Sequence, residues 1–353
     1  MKKYAIIMAG GVGSRFWPLS TEKKPKQLLS ITGKKSLIVD TVERMNQIIS
    51  NNNIFISTNN AYYDEIVDAV SDLISKNNII SEPYLRDTTA CIGFALLNIL
   101  KNNEDGVVVI VPSDAAINNI EEYKKNINEA IELASDSNKI ITIGITPTYP
   151  ATGYGYIKTD QKDCNVVLEF KEKPDKETAI NYLASNSYLW NSGIIIVKCS
   201  VMLKHIKKEV PEIYEKLLLI KKNLDNDLEI VKKLYCELPK ISIDYSVLEP
   251  VSKKGSILVV RGNFDWNDVG SWDTVLTLLQ KDDNGNAIFG DVVKVDTKNC
   301  IIRSNSKLVA TIGCEDLVII ETDNVILVCK KNRSQDVKKI VSLLHENGRD
   351  ELL

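Results

Sequence analysis

Histidine is nearly absent from this sequence, with two in 353 residues. That scarcity argues against a Ser-His-Asp triad and against a His-ligated zinc site. Both histidines, His205 in the lysine-rich MLKHIKK and His345 in LLHENG, fit solvated helix faces. Also lacking is any C-x-x-C pair. The seven cysteines (Cys91, Cys164, Cys199, Cys236, Cys300, Cys314, Cys329) are odd in number and scattered, as expected of reduced thiols buried as small hydrophobes in a reducing compartment. A basic excess is missing as well. Lys plus Arg number 44 and Asp plus Glu 47, a formal charge of -3, which argues against binding a nucleic-acid backbone. No apolar run approaches the ~18 residues of a membrane span. The opening MKKYAIIMAGGVG begins like a signal peptide, but its apolar run ends within a few residues at a glycine cluster and reads as a buried first strand. These absences describe a soluble, cytoplasmic protein with no nucleic-acid and no membrane partner.

At ~150 residues per domain the length implies about two domains. Up to about residue 145, buried-strand runs (AIIM, NIFIS, GVVVIV, IITIG) alternate with stretches of helical apolar spacing over 37–49, 62–74, 89–100 and 121–134. This is the β-α-β-α pattern of an α/β domain with a parallel sheet. In such a sheet ligands sit outside the carboxyl ends of the strands, which directs attention to the segments after Met8 and Val111. Between 150 and 275 further strands (GYIKT, VVLEF, GIIIV, SILVV) accompany a Lys/Glu/Leu-rich helical block over 201–234, with no Gly/Ser linker, so this region joins the same domain. KDDNGN, after Gln280, marks a boundary. The short runs VVKV, CIIRS, KLVATI, LVIIE and VILVC that follow read as a small all-β unit, a short β-solenoid or a sheet, closed by a helix over 334–345. The expected domains are 1–280 and 281–353.

After the first strand comes Ala9-Gly10-Gly11-Val12-Gly13-Ser14-Arg15-Phe16. A dinucleotide fingerprint started at Gly11 puts Phe16 where its third glycine belongs, so an NAD site is disfavoured. Gly33-Lys34 is no phosphate loop either, because Leu28 replaces the first glycine and Lys35 the Ser/Thr. What the first loop does offer is backbone N–H groups able to approach a phosphate chain, with the guanidinium of Arg15 beside them. Lys23-Lys24-Pro25-Lys26 adds cations. Its proline fixes the backbone before Lys26, although three lysines in a loop are ordinarily a solvated patch. The strand GVVVIV runs into Pro112-Ser113-Asp114. An aspartate there ordinarily caps a helix, and it also offers Mg²⁺ a hard oxygen. On another side, Gly153 in PATGYGYIK can present backbone groups to a hydroxyl, Glu172 can accept from vicinal hydroxyls, Lys173 can reach a phosphate, and Asn191 can donate and accept at once. Taken alone, KEKP reads equally as a charged strand end and WNSG as a turn.

The motifs MAGGVGSRFWPLS, PKQLL, EPYLRDTTA, VPSD, PATGYGYIK, FKEKP, WNSGI, ISIDYSVLE and DWNDVGSW span essentially the whole chain. Through them the sequence resembles the sugar-nucleotide pyrophosphorylases, most closely the bacterial mannose-1-phosphate guanylyltransferases. The first and last motifs are specific to the mannose-1-phosphate branch, whereas the glycine loop and E-K-P are shared with relatives that use other nucleotides. The resemblance implies a Rossmann-like nucleotidyltransferase domain, with a mixed, mainly parallel sheet and helices on both faces, followed by the small β-solenoid-like domain. The implied reaction joins GTP and mannose 1-phosphate to give GDP-mannose and pyrophosphate, with Mg²⁺.

The resemblance also distributes roles. It implies that Asp114 and Asp268 hold the metal, and that Arg15, Lys26 and Lys173 neutralise phosphate charge. Gly10, Gly11, Gly13, Ser14, Pro83, Arg86, Thr88 and Ser113 fall to the nucleotide, together with Glu82, whose carboxylate suits the N1–H and N2–H₂ donors of guanine. Gly153, Glu172, Asn191 and Asp244 fall to the sugar, although Asp244 equally fits a buried structural aspartate. The family more often reads E-P-x-x-R-N-T-A-P, so Asp87, Thr89 and Ala90 depart from it, and Ala115 stands where the family usually has histidine. Two rival readings are another nucleotide and sugar-phosphate pair, and a catalytically silent regulatory subunit that binds nucleotide sugar. Retention of Arg15, Lys26, Asp114, Lys173 and Asp268 speaks against the second. A fused isomerase would need a further C-terminal cupin, for which a sequence ending at Leu353 leaves no room. A homodimer is expected, since exposed sheet edges in the small domain need covering.

Overall fold

The computed structural model describes every residue except 32, 34, 161, 162, 164 and 225, so Lys34 and Cys164 lie outside the described residues. The chain forms two compact units interleaved in sequence. The first comprises Met1–Gly10, Thr41–Ser113 and Ile117–Trp266, the second Gly11–Asp40, Asp114–Ala116 and Asn267–Leu353.

The first unit is built on a nine-stranded sheet. Its strands are β1 (Lys2–Ala9), β2 (Ile54–Asn59), β3 (Ile79–Glu82), β4 (Gly106–Pro112), β5 (Ile140–Ile145), β6 (Tyr156–Thr159), β7 (Val167–Lys171), β8 (Tyr188–Lys198) and β9 (Ile257–Gly262). The order is β9-β5-β8-β4-β1-β2-β3, with β6 pairing β8 and β7 pairing β6. Pairing is parallel between β1 and both β2 and β4, between β2 and β3, and between β9 and β5. β8 runs antiparallel to β4 and β5. Val107 to Val111 are at most 2% exposed, the burial on both faces that a continuous apolar run serves. Met8 stands opposite both Ser57 and Pro112, so β1, β2 and β4 end level and Gly10 and Ser113 leave the same sheet edge.

Helices connect these strands: α1 (Leu37–Asn46), α2 (Tyr63–Val70), α3 (Asp87–Asn102), α4 (Ile120–Asp136) and α5 (Lys176–Ser185). The helical block over 201–234 is three helices, α6 (Cys199–Glu209), α7 (Pro211–Asn223) and α8 (Leu228–Cys236). Pro211, which has no N–H to donate, breaks α6 from α7 and sits at the start of the second helix. Asp227 caps α8 by accepting from the Ile230 N–H at 3.0 Å. The histidines divide. His345 is exposed and paired with Asp350 at 2.6 Å, whereas His205 lies half-buried on α6, where burial pulls its pKa down, so the solvated reading holds only for His345. Cys91, Cys199 and Cys300 are buried, but Cys236 is exposed at the end of α8, so burial does not extend to every thiol.

In the second unit, after α9 (Trp272–Leu278), come β10 (Ala287–Phe289), β11 (Val292–Val295), β12 (Ile301–Arg303), β13 (Val309–Ile312), β14 (Leu317–Glu321) and β15 (Ile326–Lys330). β10, β12 and β14 stack in parallel, β11 and β13 form a second parallel pair, and β15 returns antiparallel on β14. Stacking on two faces decides for a short solenoid over a plain sheet. Its corners use Asp296, Asn299 and Asp316 at φ of 50°, 52° and 53°, the side chains that tolerate left-handed backbone best after glycine. α10 (Val337–Glu346) closes the chain. Phe16, Trp17, Leu29 and Ile31 share one core with Trp272, Ile301 and Val318, which is why the glycine loop belongs to this unit.

Candidate active site

The residues of the second unit expected to meet phosphate are organised around Lys26. Its ammonium, on a side chain 7% exposed, lies 2.7 Å from Asp114 Oδ2 and 2.9 Å from the carbonyl oxygen of Asp268. The two aspartates, 154 positions apart (268 minus 114), thus meet at one cation. The glycine loop is shaped by the same lysine. The Lys26 N–H donates to the Val12 carbonyl at 3.0 Å, and Gly13 has φ 76°, with any Cβ there falling 2.3 Å from Lys26 Cβ. Glycine is required at 13 both by its left-handed backbone and by this close approach. Gly11, in contrast, has open space where a side chain would go. Ser14 begins a short 3₁₀ turn, Ser14–Phe16, and Arg15 on it is exposed. Asp268 Oδ1 accepts from the Gly270 N–H at 3.1 Å. Among the described residues there is no group of three or more His, Cys, Asp or Glu able to cage a metal. The Asp114 carboxylate, 39% exposed, is the kind of hard oxygen that suits Mg²⁺, which takes one or two carboxylates and leaves its remaining positions to water and phosphate oxygens.

In the first unit, Gly10 and Ser113 lie at the carboxyl edge of the sheet, and the Ser113 N–H donates to the Met8 carbonyl at 3.1 Å. Glu82 ends β3 with 3% exposure. Its Oε1 accepts from Ser57 Oγ at 3.0 Å and its Oε2 from the Tyr235 hydroxyl at 2.6 Å. Burial pushes its carboxyl up, opposed by hydrogen bonds from Tyr235, Cys91 and Ser57. Glu82 is thus engaged inside the unit through both oxygens. Beyond half-buried Pro83, the Arg86 guanidinium bonds the carbonyl and the sulfur of Cys236, which ties the loop to the end of α8. Thr88 Oγ1 accepts from the Ile243 N–H at 2.8 Å. Asp87, a departure from the family pattern, has φ 63°, a backbone that aspartate and asparagine both tolerate.

A second cluster of the first unit gathers Glu172, Lys173, Asn191 and Asp244, which the resemblance assigns to the sugar phosphate. Asn191 lies within β8, where the register against β5 shifts between Thr142 and Gly144, so WNSG is a bulged strand and not a turn. Its Nδ2 donates to Asp244 Oδ1 at 3.0 Å and its Oδ1 accepts from Thr142 Oγ1 at 3.2 Å, which fixes the orientation of the amide. Glu172, 7% exposed, follows β7 and pairs with Lys173 at 2.5 Å. Burial works against the charge of Lys173, but the Glu172 carboxylate holds its ammonium above the ordinary value. Burial, followed by the nearby Glu172 charge, pushes Asp244 up to about 7. Asp244 opens a π-helical turn, Asp244–Leu248, a distortion that recurs at functional sites. Gly153 is exposed with open space around it. Gly155 is the glycine that matters sterically, since a Cβ there would fall 2.5 Å from Glu172 Oε2.

A nucleotidyl transferase family model matches residues 4–285, and a model of the MannoseP isomerase/GMP-like β-helix domain matches residues 290–344. The mannose-1-phosphate guanylyltransferase of Klebsiella pneumoniae is 37% identical over 98% of this chain and 74% of its own length. The chain belongs to the mannose-1-phosphate guanylyltransferases. A guanylyltransferase of Escherichia coli aligns with the same identity and coverage. A Thermus thermophilus crystal structure, described as a mannose-1-phosphate geranyltransferase, superposes with TM-score 0.87 at 29% identity, covering 98% of this chain and 100% of that one. Within the described site, sequence reasoning missed Gly155, Tyr235 and Glu249. Glu249 accepts from the Glu172 N–H at 2.8 Å. The second glycine of GYGY was a usable signal. Tyr235, 153 positions from Glu82, had none.

Proposed function

We propose that the chain transfers GMP from GTP to mannose 1-phosphate, forming GDP-mannose and releasing pyrophosphate. The observation that carries this reading is the convergence of Lys26, Asp114 and Asp268 beside the Gly13 loop, in a chain aligned over 98% of its length with guanylyltransferases. A phosphate oxygen of mannose 1-phosphate attacks the α-phosphorus of GTP in line, the bond to the β-phosphate oxygen breaks, and pyrophosphate leaves. The nucleophile is already anionic at neutral pH, so no protein base is required and the scarcity of histidine costs nothing. The obstacle is bringing polyanions together. Arg15, Lys26 and Lys173 supply cations, while Gly10, Gly11, Gly13, Ser14 and Ser113 present backbone and hydroxyl groups to the nucleotide. Asp114 and Asp268 would hold Mg²⁺, which neutralises and orients phosphate oxygens when bound.

On the sugar side, Glu172, Asn191 and Gly153 bind hydroxyls, with Asp244 fixing the amide of Asn191. Lys173 meets the attacking phosphate. Pro83, Arg86 and Thr88 shape the base-proximal loop. For Glu82 to take the donor edge of guanine, its carboxylate exchanges a Ser57 or Tyr235 hydroxyl for N1–H and N2–H₂, so Glu82→Gln should narrow the preference for GTP over ATP. An unchanged preference removes Glu82 from base selection. The reading also includes a cytoplasmic homodimer assembled through the β-solenoid domain, and a monomer mass by light scattering contradicts the dimer. The activity is tested by pyrophosphate release from GTP with mannose 1-phosphate. Binding of GDP-mannose without turnover supports the silent-subunit reading instead.

A further inference from the structure

Arg44 is a cation only 6% exposed, and the reaction proposed above gives it no task. It lies on α1 one turn beyond Thr41, which is fully buried. Arg44 Nη2 donates to Thr41 Oγ1 at 2.9 Å, and Thr41 Oγ1 in turn donates to the carbonyl of Ser113 at 3.2 Å. The guanidinium is set against the ring of Tyr123, 5.4 Å from its centroid, on α4. Ser113 is also held from β1, since its N–H donates to the Met8 carbonyl at 3.1 Å. Both backbone polar groups of Ser113 are therefore fixed. The Ser113 carbonyl shares a rigid peptide plane with the N–H of Asp114, so the bond from Thr41 holds the plane of the peptide that leads into Asp114.

We infer that Thr41 and Arg44 are positioning residues for Asp114, acting through the Ser113 carbonyl. The inference rests on the reading that Asp114 holds the divalent cation. The cation on Arg44 polarises the hydroxyl and strengthens its bond to the carbonyl, as charge-assisted chains do in a low-dielectric interior. Groups that orient a metal ligand without touching the metal typically matter about 10–100-fold in metal affinity.

The test is Mn²⁺ binding followed by electron paramagnetic resonance on the full chain without substrates, alongside melting temperature. Thr41→Val should weaken Mn²⁺ roughly tenfold, and Thr41→Ser, which keeps the hydroxyl, should restore it. Ser246→Ala breaks a different buried hydroxyl pair, with Thr89 at 2.7 Å, and should lower stability without moving Mn²⁺ affinity. Arg44→Lys keeps the buried charge but loses the planar fork, and gives an independent reading should Thr41→Val not fold. It should weaken Mn²⁺ several-fold. Mn²⁺ affinities within about twofold of the parent in Thr41→Val, or in Arg44→Lys where the former does not fold, overturn the inference. Asp114→Asn separates the two levels. If it leaves Mn²⁺ binding intact, the metal reading of Asp114 fails and this inference with it. If it abolishes binding while the Thr41 and Arg44 variants bind normally, only the inference fails.

Discussion

Lys26 and Asp114 form an ion pair at 2.7 Å in which the ammonium is buried and the carboxylate partly open. In this arrangement the lysine neutralises the aspartate that the mechanism assigns to the metal. The ammonium and a divalent cation therefore compete for one oxygen. Lys26→Met should bind Mn²⁺ alone more tightly than the parent chain, while turnover falls by roughly 10²–10³ because a phosphate-neutralising cation is lost. Titration of Mn²⁺ and a pyrophosphate-release assay on the same preparation check both. Weaker Mn²⁺ binding would place Lys26 outside this competition.

The two loop glycines should separate stability from binding. Gly13→Ala forces a side chain into φ 76° and against Lys26 Cβ, at a cost of about 1–3 kcal/mol, so its melting temperature should drop together with activity. Gly11→Ala meets nothing in the protein, so it should melt like the parent and raise only the KM for GTP. Equal melting temperatures for the two variants would contradict this account of the loop.

Asp244 makes stability pH-dependent in a direction opposite to an ordinary salt-bridged carboxylate. Its folded pKa is raised to about 7, so between about pH 4 and 7 the folded chain holds a proton that the unfolded chain releases, and stability falls as pH rises through that window. Asp244→Asn keeps an oxygen for the Asn191 amide but carries no charge. Its melting temperature relative to the parent should rise from about pH 5 to about pH 8, and a pH-independent difference would remove Asp244 as the source.

Glu321 behaves the other way. It is 1% exposed and accepts from the N–H groups of Asn305, Ser306 and Lys307 at 2.8, 3.0 and 3.2 Å, and these bonds hold its carboxyl down to about 2. Its stabilisation is complete above the unfolded value and is lost as pH falls toward about 2. Glu321→Gln should therefore be less stable than the parent at about pH 7, by a margin that shrinks on acidification below about pH 4. Melting curves across that range report it.

Much of the fold was legible. The runs AIIM and GVVVIV are strands because a fully buried parallel strand needs unbroken apolar sequence, and the helices between them follow apolar spacing. β3 was not legible, since IISE is four residues of mixed polarity. Nor did the sequence disclose that 11–40 folds with 267–353. That depends on Phe16 meeting Trp272 at 5.1 Å, a contact with no local signature. Lys26, Asp114 and Asp268 were legible as motif residues, and the resemblance implied that the two aspartates meet, but the bonds by which Lys26 joins them required the fold. Glu82 was legible as the carboxylate that opens EPYLRDTTA, and its engagement by Ser57 and Tyr235 required the fold.

The most direct test of the central claim is initial-rate pyrophosphate release with GTP, ATP, UTP, CTP and TTP, each against mannose 1-phosphate and glucose 1-phosphate, in the presence of Mg²⁺. The account predicts the highest kcat/KM for GTP with mannose 1-phosphate. A higher value for UTP, or for glucose 1-phosphate, would contradict it.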